Sequence, residues 1–187
     1  MSSAVHIAPE VPGAFIAQAR SLLREDYLPK IERCVALLSD QQIWWRPNEN
    51  SNSIGNLLLH LSGNVRQWIV VGLGGAPDAR DRDAEFAQRE VIPREELLVR
   101  VRQTLAEADD TLGAFDTKRL LDQFAIQKLE VTALEAIFHV VEHFAMHTGQ
   151  IIMLAKMFAE IDLEFYDFNG GVPVKKWKSK QRKEAGG

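Results

Sequence analysis

Apolar residues recur at intervals of three and four along most of this chain, the spacing that lines one face of an α-helix. The first such run extends from Ala14 to Leu38, with Phe15, Ala19, Leu22, Leu23 and Ile31 in register. Pro29 falls inside it and predicts a kink or a break, because proline has no amide hydrogen and its ring crowds the carbonyl four residues back. Trp44 to Ser53 is dense in turn-forming residues and reads as a loop. Asn52 or Ser53 then offers an N-cap to a second helix carrying Ile54, Leu57, Leu58, Leu61, Val65 and Trp68, and Gly72 to Gly75 supplies its stop. The charged connector from Asp78 to Arg89 reads as exposed. Pro93 opens a third helix through Leu97, Leu98, Val101 and Leu105 to about Phe115. Thr132, with Glu135 three residues on, is a capping-box pattern, and the fourth helix runs from there to about Ala159 without a proline. No stretch alternates strictly over more than a few residues. The expectation is an all-α four-helix bundle in one domain over 1–187, with its core at about 13–160.

Composition narrows the picture. A chain of 187 residues that is 46% hydrophobic can bury a full core without staples. Its single cysteine, Cys34, rules out an intramolecular disulfide and reads as a buried structural residue. The net charge of −4, with signs interspersed, excludes a nucleic-acid-binding body. No apolar run approaches the ~20 residues of a membrane helix, and Met1 to Gly13 lacks the pattern of a signal peptide, so a cytoplasmic location is expected. Residues 175–187 form a basic tail, with Lys175, Lys176, Lys178, Lys180, Arg182 and Lys183 around Trp177, and it reads as a solvated terminus.

The chemistry-bearing pattern lies on the fourth helix, where His139, His143 and His147 stand four residues apart. Side chains at i and i+4 share a face, so two imidazoles can converge on a point beside the helix. First-row divalent metals accept neutral imidazole, and three protein ligands with one open position is the catalytic arrangement. His60, on the second helix, can supply the third nitrogen. At ~100° per residue, His139 and His147 diverge by about 80°, so an adjacent pair fits best. The pattern leaves His139/His143 and His143/His147 both open. Burying several unpaired imidazoles would cost roughly 1–3 kcal/mol each, which argues that they have a partner.

Two metal chemistries are excluded by neighbours. A zincin needs glutamate directly after the first histidine, whereas Val140 follows His139 and Phe144 follows His143. A di-iron carboxylate site needs an acid three residues before each histidine, and Leu57, Ala136, Val140 and Phe144 stand there. No second catalytic group stands out: Asn64, one turn past His60, reads equally as packing, and Glu142 as part of a solvent strip. Trp44 and Trp45 read as helix-end packing. Apolar residues spread widely around the fourth helix, including Leu134, Phe138, Val141, Ile152 and Phe158, so it meets several neighbours or a second subunit. A homodimer is the expectation.

The segment Ser53-Ile-Gly-Asn-Leu-Leu-Leu-His60-Leu, followed by His143-Phe-Ala-Met-His147-Thr-Gly-Gln150-Ile, resembles the DinB / YfiT-like superfamily of metal-dependent hydrolases. The likeness runs from the first helix to Phe158. It implies an up-down-down-up bundle, commonly dimeric, with a metal triad at His60, His143 and His147 and with His139 as a neighbour rather than a ligand. Nickel or zinc is the implied occupant, with iron and manganese as alternatives. The implied activity is that of a mononuclear metal-dependent hydrolase or of a transferase using a low-molecular-weight thiol of the mycothiol or bacillithiol type. A non-catalytic, stress-associated metal-binding bundle acting through protein interaction is the alternative.

Overall fold

The computed structural model describes residues 10–159, 162–168 and 170–177. Four long helical segments carry the fold. The first comprises α1 (Val11–Ser21), a π-helical turn over Leu22–Tyr27 and α2 (Leu28–Ala36). Pro29 therefore neither breaks nor ends the segment. The turn before it widens, with the Leu28 amide donating to the Leu23 carbonyl five residues back. The Glu25 carbonyl, which Pro29 cannot serve, accepts instead from Trp177 Nε1 at 3.0 Å.

The loop expected from Trp44 begins one residue later, at Trp45, after a short helix that the periodicity does not mark. Ser39 caps a short helix, α3 (Asp40–Trp44), through a full capping box. The Trp44 indole lies on the first turn of α4 (Ile54–Val65), where a Cβ at Gly55 would come within 2.6 Å of the ring, and its Nε1 donates to the Ile92 carbonyl at 2.9 Å. Ser53 caps α4, which passes into a second π turn, Arg66–Val71, before the glycine stop. The connector contains α5 (Arg82–Ala87) and leads to α6 (Arg94–Ala114). The fourth segment, α7 (Ala133–Phe158), starts on the expected box of Thr132 and Glu135.

Each long segment packs on two others: α4 on α6 and α7, and the first segment on α6 and α7. Ile31, Leu58, Ile69, Leu97, Ile137 and Phe144 are fully buried between them. Arg20 grips Asp109 of α6 with Nε at 2.7 Å and Nη2 at 3.0 Å, joining α1 to α6 on the outside. Among the described residues, no helix is long and apolar enough to cross a membrane.

Two small antiparallel pairs were absent from the sequence reading. Strands β1 (Gln123–Ile126) and β2 (Leu129–Thr132) form a hairpin that delivers the chain to the α7 cap. Its turn uses Gln127 and Lys128 at φ 52° and 64°, without the glycine or asparagine that marks such a turn. Strands β3 (Tyr166–Asp167) and β4 (Val174–Lys175) follow α7. Lys175 pairs with Asp26, so the start of the basic tail docks on the first segment instead of standing in solvent. Lys178, Lys180, Arg182 and Lys183 lie outside the described residues.

Candidate metal centre

Helices α4 and α7 meet antiparallel: His60 faces His143, while Asn64, one turn later on α4, faces His139, one turn earlier on α7. The capping boxes at Ser53 and Thr132 fix where each helix begins, and the apolar stripes fix its rotation about its axis. His60 and His147 are buried, at 5% and 8% exposure, and His143 between them is partly open.

Three ring nitrogens converge. His60 Nε2 and His147 Nε2 each stand 3.1 Å from His143 Nε2, and all three atoms lie within 4.8 Å of one another. A tetrahedral ion with metal–nitrogen bonds of ~2.0–2.1 Å holds its ligand atoms about 3.4 Å apart, so this spacing fits one cation. The donor chemistry fits as well. His147 Nδ1 is 2.8 Å from Gln150 Oε1; an amide oxygen only accepts, so the ring donates there and keeps a lone pair on Nε2.

Protonation points the same way. Burial and the nearby His147 and His60 push the His143 pKa down to about 3. Burial also lowers His147, against the opposing bond to Gln150. Neutral rings are the form that binds metal. His143 Nδ1 is buried without a partner, as is Asn64 Oδ1.

His139 stays outside this group. Its ring lies 4.2 Å from that of Trp68 and 5.3 Å from that of His143, and Asn64 Nδ2 is 3.4 Å from its Nε2. Glu142 is exposed, as the sequence suggested. Cys34 is wholly buried, and burial pushes its thiol up to about 12, which leaves no thiolate near neutral pH.

Two residues of the connector enter the site, contrary to its exposed reading. Glu85 Oε2 lies 2.9 Å from His60 Nδ1. Arg80 holds the same carboxylate with Nε at 2.7 Å and Nη2 at 2.9 Å, and the two side chains are only 5% and 10% exposed. Burial would raise the Glu85 pKa, but the bonds from Arg80 and His60 outweigh it and hold the group below its ordinary value. The Phe86 ring packs against that of His60, with centroids 4.6 Å apart. Nothing periodic in the sequence marks these positions. A cavity of about 670 Å³ lies beyond the pair, bounded by Leu59, Gly63, Arg66, Arg80, Glu85 and Thr104. None of the three histidines lines it.

Residues 10–168 match the family described as "Protein of unknown function (DUF1572)". Among solved structures, the chain is similar to a conserved protein from Enterococcus faecalis, with TM-score 0.64 and 17% identity over 80% of this chain and 98% of that one. It is also similar to a DinB-like protein from Bacillus cereus, with TM-score 0.57 and 14% identity over 70% of this chain and 85% of that one. No functionally curated protein matches the chain.

Proposed function

The chain belongs to the DUF1572 family, and from that premise we propose that it is a member of the DinB / YfiT-like superfamily and a mononuclear metal-dependent enzyme, a hydrolase or a low-molecular-weight thiol transferase, built on an up-down-down-up four-helix bundle. The observation that carries this reading is the convergence of three Nε2 atoms from two helices. His60, His143 and His147 would hold the ion, nickel or zinc, with iron and manganese as alternatives. With three donors and His139 set aside, a fourth position is left for a water or a substrate, the arrangement of catalytic rather than structural sites. When bound, a divalent ion there supplies a Lewis acid that lowers the pKa of a water or thiol toward neutrality.

The protein's own residues prepare that chemistry. Gln150 holds His147 in the tautomer that leaves Nε2 free, and the burial that keeps His143 neutral removes proton competition for its ring. Phe86 shields His60 from water on one side. The partly open His143 marks the direction from which a small molecule would approach.

A second copy of the chain is part of the proposal. Phe138, Met146, Met153 and Met157 are all more than half exposed and fall within an arc of about 100° on α7. Such a stripe beside the triad suits an isologous contact. One observation favours the non-catalytic alternative, a metal-binding bundle acting through protein interaction: the cavity of about 670 Å³ is lined by Arg80 and Glu85 and by none of the three histidines.

The discriminating experiment incubates nickel- or zinc-loaded, tag-free protein with a bacillithiol- or mycothiol-type thiol and a generic electrophile. Metal-dependent conjugate formation that disappears in His143→Ala is expected. Equal rates with and without metal would leave the non-catalytic reading.

A further inference from the structure

We propose that Glu85 is a positioning residue for His60, making the connector between α4 and α6 a working part of the metal centre. The proposal deepens the reading above and rests on it for its metal-binding half.

A carboxylate paired with a guanidinium has only acceptor lone pairs to offer a neighbour. With Glu85 Oε2 at 2.9 Å from Nδ1, the His60 ring carries its proton on that nitrogen. Its Nε2 lone pair is then directed at the point it shares with His143. Arg80 Nη2 also lies 3.2 Å from His60 Nδ1, but a guanidinium only donates and cannot receive an Nδ1 proton. Glu85 is the acceptor that both share. Arg80 is itself fixed by a 2.9 Å bond from Nη1 to Gln67 Oε1, so the carboxylate is held from two sides.

The rest of the local structure brings Glu85 to this place. Gly63 lies three residues past His60 on α4, and a Cβ there would overlap Glu85 Oε1 and come within 2.8 Å of Arg80 Nε. Glycine in mid-helix is destabilising relative to alanine, and here it leaves the slot that the ion pair occupies. Asn56 Nδ2 donates to the carbonyls of Glu85 and Gln88 at 2.9 and 3.1 Å, tying the end of α5 to the start of α4. Asp81 caps α5 through the Ala84 amide at 3.0 Å. A pair serving only to pin the connector would not need an oxygen on the ring of a candidate ligand.

The test uses full-length protein and two readouts. Without metal, ¹⁵N NMR of the imidazole nitrogens should show His60 protonated on Nδ1. In Glu85→Gln the amide keeps its oxygen toward Arg80 and turns its NH₂ toward the ring, so the proton should move to Nε2. Gly63→Ala should scatter the tautomer by displacing the pair, while Gly113→Ala, whose Cβ would come no nearer than 3.4 Å to its first neighbour, the Arg20 guanidinium, should leave it alone. With zinc added, Glu85→Gln and Gly63→Ala should each lose about 10–100-fold in affinity, the usual cost of removing such an outer partner. An unchanged His60 tautomer together with wild-type zinc affinity in both variants would overturn the proposal and leave the metal reading standing. A tautomer change in a protein that takes up no zinc would uphold the positioning role and sink the metal reading.

Discussion

Helix α7 and the connector between Pro77 and Ile92 both deliver side chains to the same site around His60, and they do so by different physics. Helix α7 brings His143 and His147 on consecutive turns of a long, doubly packed rod whose apolar residues, Ile137, Val140, Phe144 and Ile151, anchor it in the core. The connector has no fully buried apolar side chain of its own in α5 and is held by charge and hydrogen bonds: Arg80 to Glu85 and Gln67, Asn56 to two of its carbonyls. Packing against many neighbours makes the α7 histidines hard to move without unfolding the protein. Polar pinning makes the connector a unit that can open by itself.

That contrast can be broken experimentally. The largest effect is expected from Phe144→Ala, which removes a fully buried ring stacked at 6.0 Å from Tyr27. It should cost about 3–5 kcal/mol of global stability in urea titrations. Arg80→Met should cost less, about 1–3 kcal/mol, because Glu85 can swing into water with the connector rather than stay buried unpaired. Its signature would be faster amide exchange over residues 81–88 with exchange in α7 unchanged; equal acceleration in both would show that the two regions open together.

Acid separates the regions too. His143 has a folded-state pKa below its ordinary 6.5, so the unfolded chain takes the proton first. The associated stability is complete above about pH 6.5 and drains away as pH falls toward 3. Glu85 is also depressed, from 4.5, so its contribution is present above that value and fails below it. Metal-free protein should therefore lose melting temperature first around the triad and only later at the connector. Thr132→Ala, which removes the α7 cap, should cost about 1 kcal/mol. The smallest change is a gain: Lys128→Gly relieves a positive φ of 64° and should stabilise by a few tenths of a kcal/mol, read as a slight rise in melting temperature.

The same contrast explains what was legible in the sequence. Helices α4, α6 and α7, with their caps at Ser53, Pro93 and Thr132, are written in periods of three and four, and so are the triad positions on α7. The choice of His143 and His147 over His139 needed the family resemblance, because rotation about one helix axis does not say where its partner stands. Arg80 and Glu85 were missed because the bonds from His60 span 20 and 25 residues of chain with no repeating pattern. Gly63 was the available signal: a glycine one turn past a candidate ligand marks a close approach. The β1–β2 hairpin was hidden by its Gln127-Lys128 turn, and the docking of Trp177 by the charge of its neighbours.

Calorimetric titration of tag-free protein with nickel or zinc addresses the central claim most directly. One ion should bind per chain, binding should vanish in His60→Ala, His143→Ala and His147→Ala, and His139→Ala should bind as the wild type does. No heat of binding in the wild type, or an equal loss in His139→Ala, would contradict a centre made by those three rings.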